Sequence, residues 1–180
     1  MDIVGTVDLS KASEIIFYTD VYKGDEFANI RKFVKSEKYT GPTKSGIKLN
    51  KEQLHTICGI LARAPRNLEK TKDEELGKIK ISENLFIWVG FTYFKGQYGL
   101  DIRQYLKTEK YTGPSKKGIR IPLDYIDATV GYCERMLALI GNSKQQEVKA
   151  EKQENPSIQK VAIDKNKDVE GVPDEYQKYF

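Results

Sequence analysis

The sequence predicts an α+β fold built from two tandem β-sheet-plus-helix modules, and three observations carry that expectation. The segment FYTDVYKGDEFANIRKFVKSEKYTGPTKSGIKL returns as VGFTYFKGQYGLDIRQYLKTEKYTGPSKKGIRI at a constant offset of 72 residues without a gap. From Tyr22 to Leu49 against Phe94 to Ile121, 14 of 28 positions are identical, so one module is written twice. Each copy alternates apolar and polar residues with a strand period, and each is followed by a stripe of apolar residues at helical spacing.

Within each copy the first strand precedes the Lys-Gly pair, over 15–22 and 87–94, and is rich in β-branched and aromatic residues. Lys23-Gly24 and Lys95-Gly96 mark a turn. A second strand over 27–34 and 99–106 places Ala28, Ile30 and Val34, or Leu100, Ile102 and Leu106, on one face, with Arg31 and Phe33, or Arg103 and Tyr105, on the other. EKYTGP reads as a long hairpin loop because Gly-Pro breaks the pattern, and short strands over 46–49 and 118–121 close each sheet.

Helix one is expected from Asn50, a good N-cap with Gln53 at the capping-box position, and carries Leu54, Ile57, Cys58 and Leu61 on one stripe. Helix two begins with Pro122 and runs through Leu123, Ile126, Val130, Cys133, Leu137 and Ile140 to Gly141. That stripe is longer than one small sheet requires; packing the two helices together, with the sheets facing outward, uses all of it. The domain reading is a first module over 1–64, a charged linker over 65–85 with room for a short helix, a second module over 86–141, and a tail over 142–180 whose Gln, Lys, Glu and Asn content predicts disorder.

The charge is uneven. Residues 1–140 carry 23 basic and 18 acidic side chains, whereas residues 141–180 carry seven Lys and eight Asp or Glu, so the part expected to fold suits an anionic partner. No apolar run reaches bilayer length and the first residues do not read as a secretory signal, so an intracellular location without membrane contact is expected: cytoplasm or nucleoid in a prokaryote or virus, nucleus in a eukaryote. Cys58 and Cys133, on apolar helix positions without CxxC spacing, read as buried free thiols.

A sheet face on which aromatic and basic residues interleave suits unpaired nucleic acid, because bases stack on rings while phosphates follow Lys and Arg. Both copies have that composition. The candidate binding residues are Tyr22, Lys23, Arg31, Phe33, Lys38, Tyr39 and Lys44 in the first copy, and Phe94, Lys95, Arg103, Tyr105, Lys110, Tyr111, Lys116 and Lys117 in the second. Aromatics on strands also serve as cross-strand packing, and the loop lysines also fit an ordinary solvated hairpin. For Tyr39 and Tyr111, stacking on a base and pinning the turn both remain open.

Catalysis finds no foothold, and neither a cofactor nor a metal is expected. His55 is the single histidine, on the polar side of helix one, so no paired nucleophile and base can be drawn. The acids show no metal-ligand spacing. GPTKSG and GPSKKG lack the GKS/T ending of a phosphate loop.

The run KG-x5-IR, then PTKSGIKL or PSKKGIRI, then a helix, resembles the transcriptional coactivator family called positive cofactor four, over about residues 14–64 and 86–140. The resemblance implies a β4α module that dimerises through its helix and binds single-stranded DNA on a curved sheet, hence here two copies pairing within one chain as an intramolecular pseudo-dimer. It implies DNA-contacting roles for Tyr22 and Phe94, for Arg31 and Arg103, and for Lys44 and Lys116 with Lys117. Val34 and Leu106 stand where the family often has Trp, and a serine-rich regulatory region is absent. The tail, DVEGVPDEYQKYF, is similar to the acidic, Phe-ended tips by which single-strand-binding proteins recruit replication partners, which marks Tyr179 and Phe180 as a weak partner site; an uncommitted disordered end is the competing reading.

The expected function is therefore sequence-tolerant binding of single-stranded DNA in replication, recombination or transcription, by a monomer with internal symmetry. RNA stays open as a ligand because stacking platforms accept any base. The alternative is a transcription coactivator or adaptor acting mainly through protein contacts.

Overall fold

The computed structural model describes residues 1–66 and 73–150, with side chains through Ile140. The first half runs β1 (Asp2–Ser10), β2 (Ser13–Tyr22), β3 (Asp25–Lys35), β4 (Thr40–Leu49) and α1 (Lys51–Ala62). The second runs β5 (Glu74–Ser82), β6 (Leu85–Phe94), β7 (Gln97–Lys107), β8 (Thr112–Pro122), a single 3-10 turn (Leu123–Tyr125) and α2 (Ile126–Ala150). The first residues of the paired strands β1/β5, β2/β6, β3/β7 and β4/β8 each differ by the 72-residue offset of the sequence repeat.

The strands form one curled antiparallel sheet in the order β1-β2-β3-β4-β8-β7-β6-β5, where two separate sheets were expected. The halves join through a single bridge, Gly46 to Gly118. Both seam glycines are required by the neighbouring arginine stems: a Cβ on Gly46 would lie 2.9 Å from Arg31 Cγ, and one on Gly118 would lie 2.7 Å from Arg103 Cγ.

Both helices cover the same face. Ile15, Phe17, Ala28, Ile30, Ile47 and Leu49 from one half, and Ile87, Val89, Phe91, Leu100, Ile102, Ile119 and Ile121 from the other, bury against Leu54, Ile57, Leu61, Cys133, Met136 and Ile140 of the helices in one core. α1 and α2 also pack on each other, and each leans on the opposite half. Tyr132 of α2 sits 5.0 Å from the Phe17 ring and donates to Thr6 O, while Tyr125 donates to Asp8 O. Close approach explains two edge-strand glycines. A Cβ on Gly5 would lie 2.2 Å from Tyr132 Cε1, and one on Gly77 would lie 2.7 Å from Ile60 Cδ1.

Four sequence expectations need correction. The region read as a linker holds β5, whose Ile79 and Ile81 alternate with Lys78 and Lys80; residues 67–72 lie outside the described residues. EKYTGP is no long loop: the chain turns at Ser36–Tyr39 and 108–111, and β4 and β8 run on through Pro42 and Pro114, each beside a bulge opposite β3 or β7 where a missing donor is tolerated. The α-helical part of helix two starts at Ile126, after the 3-10 turn, and continues past Gly141 to Ala150, into the region read as tail; the rest of that region, 151–180, lies outside the described residues. β1, which no period-two pattern announced, completes the first set of four strands. The capping box at Asn50 and Gln53 is present, with both hydrogen bonds made. Among the described residues no helix is long and apolar enough to cross a membrane.

Asn50→Ala should lower stability by about 1 kcal/mol through loss of the cap, and Leu61→Ala by about 2–5 kcal/mol through the cavity it leaves in the shared core; urea denaturation of each variant checks the ranking. Burial raises the Cys133 thiol pKa strongly and the Cys58 thiol to about 11. Thiol alkylation near neutral pH should therefore be slow in the folded protein and fast in denaturant.

Candidate nucleic-acid interface

The face opposite the helices has no covering element among the described residues, and strand register dictates what it displays. In the first half, cross-strand pairing aligns Tyr18 with Asn29, Ile16 with Arg31, Asn29 with Lys48 and Arg31 with Gly46. In the second, Trp88 pairs with Arg103, Phe86 with Tyr105, and Asp101 with Arg120.

Tyr22 and Phe94 sit at the ends of the β2–β3 and β6–β7 hairpins, 46% and 60% exposed, which suits stacking. Lys23 (φ 54°) and Lys95 (φ 51°), each followed by a glycine at φ near +80°, form the tight two-residue turns that place those rings, and each ammonium lies 5.5 Å from the neighbouring ring centroid. Lys48 extends over Phe27 (4.0 Å) and Tyr22 (4.6 Å).

Phe33 and Tyr105 are half-buried and held by other rings. Phe33 meets Tyr18 edge-on at 6.3 Å, and Tyr105 stacks on Phe86 at 5.5 Å with Trp88 tilted against it at 5.9 Å. Trp88 is itself buried, its indole N–H donating to Glu75, so it anchors the cluster instead of offering a free face. Tyr39 and Tyr111 are half-exposed, yet their hydroxyls donate to Pro42 O (2.6 Å) and Pro114 O (2.8 Å) and their rings cover Gly41 and Gly113, so they pin the hairpin ends.

The candidate residues do not form one cluster. Lys38 and Lys110 are at hairpin tips, at the opposite end of an 11-residue strand from Tyr22 or Phe94, about 30 Å away by strand rise. Lys44, Lys116, Lys117 and Arg31 do converge: with Lys48 they line a groove at the β4–β8 seam that has five cations and no acid. Tyr179 and Phe180 lie outside the described residues.

Arg31 and Arg103 occupy matching places but differ in their partners. Each Nη1 donates to a strand carbonyl, Thr43 O at 3.0 Å and Ser115 O at 3.2 Å. Arg103 Nε also contacts both oxygens of Asp101 at 3.1 and 3.2 Å, whereas the corresponding residue beside Arg31 is Asn29. Burial raises the Asp101 carboxyl pKa, against the opposing pull of Arg103. Sequence reasoning missed Tyr18, Phe27, Lys48, Phe86, Trp88, Asp101 and Arg120. All lie on the open face, and extending the period-two count from β3 across its neighbours would have found them.

The family described as Transcriptional Coactivator p15 (PC4) matches residues 14–60, which span β2, β3, β4 and α1. No curated protein matches the chain. Among solved structures, a PC4 homolog from Burkholderia pseudomallei K96243, BPSL1147, overlays with a TM-score of 0.30 at 15% identity over 33% of this chain and 90% of that one. WHY1 from Arabidopsis thaliana overlays with a TM-score of 0.38 at 10% identity over 87% and 98%. WHY3 from the same plant gives 0.32 at 6% over 80% and 95%. The likeness to the coactivator family lies over residues 14–60.

Because the folded-state pKa of Asp101 is raised, the charged carboxylate opposes folding above that pKa, and the opposition fades as pH falls through it. Relative to Asp101→Asn, the wild-type protein should therefore gain stability as pH drops from about 7 to about 3. Paired denaturation curves across that range test this, and a constant difference would refute it.

Proposed function

We propose that the open face binds single-stranded DNA without sequence selectivity, in a transcription-related role, and that the two β4α halves act as tandem copies of the coactivator-type module paired within one chain. The observation that carries this reading is the uncovered sheet, with exposed rings at Tyr22 and Phe94 and a seam groove lined by five cations and no acid. The family match over 14–60 supports it independently.

On this reading the polymer's phosphates follow Arg31, Lys44, Lys48, Lys116 and Lys117, while bases splay onto Tyr22 and Phe94. A duplex cannot use the rings, because its bases are already stacked and paired. The protein binds without chemistry, and affinity comes from counterion release and stacking.

Fluorescence anisotropy with a short single-stranded DNA, its duplex and the matching RNA across a salt series should show preference for the single DNA strand, with a log–log slope of about −0.7 for each phosphate neutralised. Replacing Tyr22 and Phe94 together by Ala should cost about 1–3 kcal/mol for each stacked base while leaving the circular dichroism spectrum intact. Unchanged affinity in that folded double variant would remove both rings from the site.

A further inference from the structure

The two halves present unequal cations to a ligand on the open face. Arg103 is held by Asp101 through both carboxylate oxygens, in a pair whose side chains are only 23% and 14% exposed. Arg120, the neighbouring cation in register with Asp101, is also tied down: its guanidinium donates to Thr92 Oγ1, Thr92 O and Gln97 O. Both mid-sheet cations of the second half are therefore engaged in holding strands β6, β7 and β8 together.

The first half differs at the same positions. Asn29 replaces Asp101, so Arg31 has no carboxylate partner among the described residues, and its one hydrogen bond, to Thr43 O, leaves its charge uncompensated. The Asn29 Nδ2 is itself buried without an acceptor. Lys48, in the place of Arg120, makes no hydrogen bond among the described residues; its ammonium lies over two rings and 3.9 Å from Asp20.

Resting on the single-strand reading, we infer that the two mid-sheet arginines have distinct roles: Arg31 of the first half is the principal mid-sheet phosphate anchor, and Asp101 silences Arg103, so that the second half contributes its Phe94 ring and the seam lysines Lys116 and Lys117 but no mid-sheet arginine. The Asp101 carboxylate compensates the charge of Arg103, so a phosphate reaching its remaining N–H groups gains little net attraction and releases few counterions. Arg31 has no such compensation among the described residues. Asp101 is thus a specificity-determining residue that orients the bound strand by making its two halves inequivalent.

The test uses the full chain and a labelled single-stranded oligonucleotide of mixed sequence, with affinity measured across a salt series for wild type, Arg31→Ala, Arg103→Ala and Asp101→Asn, and folding checked by thermal melting. Arg31→Ala should bind about tenfold more weakly and shallow the salt slope by about 0.7, while Arg103→Ala leaves the slope unchanged. Asp101→Asn, which installs the side chain found at position 29, should tighten binding and steepen the slope by about 0.7 as Arg103 becomes available. This variant keeps the inference testable if Arg103→Ala unfolds. Equal losses for the two arginine variants, or no change with Asp101→Asn, would overturn the inference while leaving single-strand binding in place. No binding by the wild-type protein, even at low salt, would overturn the functional reading and this inference with it.

Discussion

Two helices cover one face of an eight-stranded sheet, and the side chains they bury, from Ile15 and Phe17 in one half to Val89 and Phe91 in the other, belong to a single core. A sheet of this size gains its stability by burying one face, and here both helices are committed to that same face. The consequence is positional: the second face is left open, and whatever it displays is presented by a backbone already fixed from behind. The lone Gly46–Gly118 bridge could not join the halves by itself, since a backbone hydrogen bond contributes only about 0.5–1.5 kcal/mol net. Tyr132 against Phe17, Ile60 against Gly77 and the α1–α2 contact lock the halves together, so the seam groove is a fixed feature of the surface.

Much of the covered face was legible in the sequence. Period-two alternation marked the covered face of β3 and β7, β-branched and aromatic content marked β2 and β6 as strands, and Asn50 with Gln53 marked the start of α1, because strand pleat, strand propensity and helix capping are local rules. The edge strands were not legible. β1 and β5 each contain two register shifts and a glycine where a helix side chain presses close, so the sequence pattern assigns no strand to β1 within the first module and puts β5 in the linker. Gly41-Pro42 misled for a related reason: proline reads as a breaker, but beside a bulge it costs the ladder no donor.

The candidate site was legible only in part. Tyr22, Arg31 and their counterparts announced themselves because the repeat holds them at one offset. Lys48 and Trp88 escaped because their significance lies in what faces them across strands, and cross-strand neighbours depend on register, which no single strand encodes; Asp101 lies two residues from Arg103 on β7, so the strand period alone places it beside that arginine. Phe33 and Tyr105 show the reverse. Their pattern resembled a pair of free platforms, yet rings from β2 and β6 pack against them.

Where an interface is formed by two separate copies of one chain, symmetry makes both halves the same. Two related segments within one chain are free to diverge, and the open face shows compensated divergence. Ile16 and Tyr18 of β2 correspond to Trp88 and Gly90 of β6; a Cβ on Gly90 would lie 2.3 Å from the Trp88 ring, so the indole occupies the space above the glycine that a side chain at that position would need. Aromatic volume has moved two residues along the strand while the packing against Tyr105 is kept. The Asn29-to-Asp101 difference is of another kind, because it leaves the shape of the face nearly unaltered and changes its charge. A steric change that is compensated preserves the fold, whereas an isosteric change of charge alters what the surface attracts.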